Sequence, residues 1–134
     1  MSSRLAGIAA GVSISGLLYG ALFPPLAWSW LSWVALVPLV IALRATRTAV
    51  GAALAAGIFA WIGTASVIPW VAATLHDHFA KAWPVSIAFW LLFSATALAP
   101  YYAVGLGAQA WAARRLPAAA RPFAFAAAWA GAEW

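Results

Sequence analysis

Two histidines flank an aspartate at His76-Asp77-His78, and Lys81 follows three residues later. Histidines at i and i+2 on an extended segment can share a metal ion, but the site then needs a further good ligand and supporting hydrogen bonds. Only Asp77 lies near, and neighbours in sequence rarely converge on one ion, so the segment reads as a solvated interfacial loop that holds no metal. Imidazole and ammonium groups also donate to lipid phosphate, which makes His76, Asp77, His78 and Lys81 candidate headgroup or interface contacts. Glu133 is the sole glutamate. A carboxylate in an apolar segment is expensive and marks a function or a buried partner, so Glu133 and the adjacent Trp134 join the candidates. Asp77 and Glu133 lie too far apart in sequence to suggest a carboxylate pair. Ser13, Ser15, Thr64 and Ser66 sit in apolar runs, where a hydroxyl usually bonds back to the carbonyl four residues earlier. There is no Ser/His/Asp arrangement, no nucleophile elbow and no phosphate-cradling glycine loop. With no cysteine there is no thiolate nucleophile and no disulfide. These residues alone describe no enzyme and call for no cofactor.

The elements that carry them are apolar to a degree no water-soluble domain of this size sustains. Of 134 residues, 67% are hydrophobic and 7% charged. A soluble domain carries about 25% charged residues. The solvent implied is lipid. A net charge of +5 raises the question of a nucleic-acid partner. The basic residues flank apolar segments and build no groove-sized patch, which excludes that reading.

The stretch from Phe23 to Arg47 sets the pattern for the chain. Pro24-Pro25 cannot sit inside a helix, so a turn falls there. Trp28, Trp30 and Trp33 follow, and indole rings favour the membrane–water interface. An apolar run then ends at Arg44 and Arg47. A turn, an aromatic belt, an apolar span and a basic stop describe one membrane crossing. The uncharged run before it holds a first crossing at 5–22. Arg4 and that short apolar run also suit a signal peptide, but the cleavage region is poor and more spans follow. The remaining helices are expected at 28–43, 49–75, 85–112 and 122–134. Pro38 should kink the second and free a carbonyl near Val34; the third is longer than a straight span needs, so it should either tilt or break at Pro69; Pro100 should kink the fourth. Gly7/Gly11, Gly16/Gly20 and Gly51, Gly57, Gly63 offer small faces for close helix approach. The fifth run covers about half a crossing and reads as cut. The expected fold is an all-α integral membrane protein, a bundle of four complete transmembrane helices plus a truncated fifth. It forms one membrane domain over 1–134 with no soluble domain.

Charge orients this threading. Arg4, Arg44, Arg47, Arg114, Arg115 and Arg121 fall on one side, whereas Lys81, Asp77 and both histidines fall on the other. The positive-inside rule makes the arginine side cytoplasmic. The N-terminus is then inside and the His-Asp-His loop outside.

The order of features resembles the amino-terminal membrane portion of the apolipoprotein N-acyltransferase family. The resemblance is carried by Phe23-Pro24-Pro25 with its Trp-rich continuation to Leu43-Arg44. Trp70-Val71 running into Thr74-Leu75-His76-Asp77 and Phe79 adds to it. So do Pro84 entering a long helix that ends at Arg114-Arg115-Leu116, and Arg121-Pro122-Phe123 continuing to Trp129 and Ala132-Glu133-Trp134. The family usually shows Gly-Gly where this chain has Ala80-Lys81, and His78 looks inserted. The resemblance implies a multi-pass protein of the bacterial inner membrane. Its reaction would transfer an acyl chain from phospholipid to the diacylglyceryl-cysteine of a lipoprotein, so phospholipid and lipoprotein are the implied partners. It places the family's Glu-Lys-Cys set in a periplasmic nitrilase-like domain that these residues do not include, so no catalytic residue maps here and the missing C-terminal part is itself a partner. A fragment of this kind should be inactive alone. The competing readings are a small transporter-like bundle, disfavoured by the lack of a mid-membrane charge in the first four crossings, and a non-catalytic scaffold.

Overall fold

Apolar runs punctuated by proline and small polar residues fold as helices throughout the described part of the chain. The computed structural model describes residues 2–133, and the side chains of residues 2, 132 and 133 lie outside the description. The elements are α1 (Ser2–Gly20), a 3-10 turn at Ser29–Trp33, α2 (Val37–Ala45), α3 (Ala49–Val67), α4 (Trp70–Asp77), α5 (Trp83–Ala97), α6 (Ala99–Ala112) and α7 (Arg121–Glu133). No strand occurs among the described residues. Turns fill 21–26 around Pro24-Pro25. Pro69 falls between α3 and α4, and Leu98 interrupts the helix just before Pro100. At each of these places proline withdraws an N–H from the helix ladder.

The second segment departs from expectation. In place of one kinked helix over 28–43, a 3-10 turn is followed by a separate α2, and Pro38 lies in the first turn of that helix. An N–H is unpaired in a first turn anyway, so proline fits there without a kink. The Val34 carbonyl is not freed, because it accepts from Val37 N at 3.0 Å.

Thr48 caps the central helix, its hydroxyl oxygen accepting from Gly51 N at 3.0 Å. From there α3–α4 and α5–α6 run antiparallel as one long hairpin. The pairs step along it: Arg114 against Thr46, Gly107 against Ala53, Ala103 against Gly57, Leu91 against Trp61, Trp83 against His76. The hairpin tip is therefore the segment after Asp77. The first helix lies parallel to α3, with Gly16 against Ile62 and Gly20 against Ser66, and antiparallel to α2, with Gly11 against Pro38 and Ala42. A Cβ on Gly107 would come within 2.6 Å of Ala53 Cα, and one on Gly20 within 2.2 Å of Ser66 Cβ. Only glycine permits these approaches. Gly7 faces open space and Gly51 meets only its own capping turn, so these two do not serve as packing faces.

The core is built from small residues. Ala52, Ala55, Ala56 and Ala60 are buried along α3, with Phe59, Leu39 and Leu106 the largest fully enclosed side chains. Large apolar groups face outward instead: Trp33 is 87% exposed, Phe123 78% and Val104 72%. Water would penalise that surface by about 25 cal/mol for each Å², whereas hydrocarbon does not. Two helical stretches are long and apolar enough to cross a membrane, Ala49–Val67 and Trp83–Arg115; Ser29–Ala45 is apolar and shorter. The 19 residues of α3 rise about 28 Å at 1.5 Å each, close to a bilayer's hydrocarbon thickness.

Candidate functional site

The hairpin tip gathers the predicted polar residues. His76 lies in the last turn of α4, Asp77 ends that helix and His78 caps it. The His76 ring stacks on Trp83 with centroids 4.3 Å apart. Its Nδ1 lies 2.8 Å from the Lys81 carbonyl. A carbonyl only accepts, so Nδ1 is the donor and carries the hydrogen. Lys81 N donates to Leu75 O at 3.1 Å, which closes the loop. Between them Ala80 takes φ 51°, in the left-handed region. His76 is half-buried, whereas Asp77, His78 and Lys81 are exposed. His76 and Lys81 are therefore held together through the backbone, and His78 N donates to Thr74 O at 2.9 Å to close the end of α4.

The opposite end of the bundle is basic, and backbone carbonyls organise it. Arg4 donates to Ala45 O. Arg114 donates through Nη2 to Thr46 O at 2.7 Å and to Thr46 Oγ1 at 3.2 Å, and through Nη1 to Arg47 O. Thr46 Oγ1 in turn donates to Leu43 O at 2.7 Å. The loop joining α2 to α3 is thus clamped by guanidinium groups from α1 and from the end of α6. Its last carbonyls, unpaired in any helix C-terminus, are satisfied in this way. Arg115 lies over the Trp111 ring, 4.3 Å from its centroid.

Beside the clamp a cavity of about 480 Å³ opens between α2, α6 and α7. Val40, Leu43 and Phe125 supply apolar wall, and Arg44, Arg114 and Arg121 supply charge. Arg121 Nε donates to Leu116 O at 3.2 Å. Neither the clamp nor this cavity was predicted as a site. The available signal was the threading itself, which puts the basic stops of the second and fourth apolar runs on one side.

Deeper in the bundle Trp129 of α7 docks into an aromatic cluster. Its ring lies 5.3 Å from Tyr102, 5.7 Å from Tyr19 and 5.9 Å from Phe59, by centroids. These edge and tilted contacts tie α7 to α1, α3 and α6. Glu133 ends α7, but its side chain, like all of Trp134, lies outside the described residues. Of the hydroxyls expected to bond back along their own helix, Ser66 does so, donating to Ile62 O at 2.8 Å. Ser15 instead crosses to Ala35 O, because the close approach of α1 brings that carbonyl within reach.

The family model for the apolipoprotein N-acyltransferase N-terminal domain matches residues 15–134. Neither curated proteins nor solved structures yield a match. The family match begins inside α1 and takes in the proline turn, the long hairpin, the Arg114 side of the clamp and α7, but not Arg4. The chain belongs to the apolipoprotein N-acyltransferase family, in the part of it that forms the N-terminal domain.

Proposed function

We propose that these residues are the membrane-embedded part of an enzyme that transfers an acyl chain from phospholipid to the N-terminal diacylglyceryl-cysteine of lipoproteins. The observation that carries this, beside family membership, is the inside-out distribution of apolar volume, with alanine at the centre and Trp, Phe, Leu and Val outward. That arrangement suits a protein whose solvent is lipid. On this reading the chain threads the bacterial inner membrane four times and enters it a fifth, as one membrane domain over 1–134. The arginine end is cytoplasmic by the positive-inside rule. The tip with His76, Asp77, His78 and Lys81 is periplasmic, where it contacts headgroups or the interface, and Glu133 and Trp134 approach the same side.

The role of this part is positional. It anchors the reacting domain at the outer leaflet and offers a lipid-facing surface. With no cysteine among these 134 residues, the thioester chemistry that the family resemblance implies belongs to the enzyme's remaining part. Purified alone and supplied with phospholipid and a diacylglyceryl lipopeptide, the 134-residue chain should give no N-acylated product; measurable product overturns the assignment of chemistry elsewhere. Alkaline phosphatase fused after Lys81 should be active and fused after Leu116 inactive. The reverse pattern overturns the orientation.

A further inference from the structure

We infer that the cavity between α2, α6 and α7 seats the phosphate and adjoining acyl chain of an anionic amphiphile. Three guanidinium groups line it, from Arg44, Arg114 and Arg121, and no carboxylate does. The chain has only two acidic residues. Asp77 lies at the hairpin tip, far from the clamp. Glu133 lies at the other end of α7 from Arg121, about 18 Å away along a helix rising 1.5 Å per residue. The cationic lining therefore meets no carboxylate among the described residues, and its three arginines are exposed and open to an anion from outside. Arg114 is fixed by its bonds to Thr46 and Arg47, so one wall of the charge is pre-organised. Inorganic phosphate would suit the guanidinium groups equally well. The Val40, Leu43 and Phe125 walls discriminate, because they offer apolar contact that only a chain-bearing phosphate uses. The seat lies at the end of the bundle opposite the tip loop, and so apart from the surface proposed to serve the reaction.

This inference rests on the bilayer reading and not on acyl transfer. The test uses the full chain in mild detergent. It is given equal amounts of phosphatidylglycerol and phosphatidylcholine with identical acyl chains, and retained lipid is counted by native mass spectrometry. Phosphatidylglycerol should be retained over phosphatidylcholine. Arg44→Gln and Arg121→Gln should each reduce the preference about fivefold, the ratio that one surface arginine's attraction implies. Arg115→Gln, on a residue engaged with Trp111 and outside the lining, should leave it unchanged. Circular dichroism checks that each variant keeps its helices. Equal retention of the two lipids overturns the seat. So does a loss with Arg115→Gln as large as with Arg44→Gln, which would mean diffuse charge. Displacement of the lipid by millimolar inorganic phosphate would show a plain phosphate site and overturn the amphiphile. A chain that stays monodisperse without detergent overturns the bilayer reading together with this one.

Discussion

Arg114 donates to the Thr46 carbonyl at 2.7 Å, joining residues 68 apart in sequence. The same guanidinium reaches Thr46 Oγ1 and Arg47 O, so one side chain closes the base of the hairpin formed by α3–α4 and α5–α6. A charged donor to a neutral carbonyl contributes about 1.5–3 kcal/mol when partly sheltered, and the exposed Arg47 bond adds little. Arg114→Gln should lower stability by about 1–2 kcal/mol, read as a fall in apparent Tm in detergent. Arg114→Lys should recover only part of it, because an ammonium lacks the planar fork that spans two carbonyls. An unchanged Tm for Arg114→Gln would show that the clamp carries no load.

The first half of α1 and the middle of α6 predict opposite signs for the same substitution. At Gly107 a Cβ meets Ala53 Cα at 2.6 Å, a backbone atom that cannot swing away. Gly107→Ala should force α3 and α6 apart and cost about 1–3 kcal/mol. Gly7 meets nothing within 4 Å, and alanine is the better helix former by about 0.5–1 kcal/mol. Gly7→Ala should therefore be neutral or stabilising. Thermal unfolding of the two variants side by side checks both, and a destabilised Gly7→Ala would mean that the open face is covered.

Where the chain breaks was legible, because proline acts locally. Pro24-Pro25, Pro69 and Pro100 all mark interruptions, each for want of an N–H. Pro38 was misread because the same missing N–H costs nothing in a first turn, and only the 3-10 turn ahead of it decides that a helix begins there. The grouping of arginines at one end was legible from spacing. The Arg114 clamp was not, since its partners are carbonyls that every residue possesses. Gly16 and Gly20 were legible as a packing face, whereas Gly107 has alanine rather than glycine four residues before it, at Ala103, so no glycine pair flags it. The tip loop was correctly read as the polar segment, but its geometry comes from Lys81 backbone atoms and the Trp83 ring, which the pattern of side chains does not announce.

Ala80 carries a cost that glycine would remove. Its φ of 51° places Cβ against the following carbonyl, at about 1–2 kcal/mol for an L-residue. Glycine escapes this but gains freedom in the unfolded chain, which offsets about 0.4–1 kcal/mol. The net expectation for Ala80→Gly is a gain of about 0.5–1 kcal/mol, and for Ala80→Val a loss of comparable size or more. Tm measurements on both variants decide it. If Ala80→Gly lowers stability, the left-handed turn at the tip is wrong.

Trp129 is the residue through which α7 is held. Its ring meets Tyr102, Tyr19 and Phe59 from three other helices, and Phe125 one turn back at 6.4 Å. Truncation removes edge-to-face contacts worth about 0.5–1.5 kcal/mol each and leaves a void that the alanine-rich neighbourhood fills poorly. Trp129→Ala should cost about 3 kcal/mol. Trp129→Phe keeps a ring in the cluster and should cost well under half of that. The loss should also be local before it is global, since α7 packs chiefly on α6 and its release leaves the α1–α3–α6 core in place. Hydrogen exchange should then show amides of 123–131 losing protection in Trp129→Ala, while those of 52–60 keep theirs. Uniform loss across both stretches would mean that α7 is an integral part of the core and that the aromatic cluster is not its separate anchor.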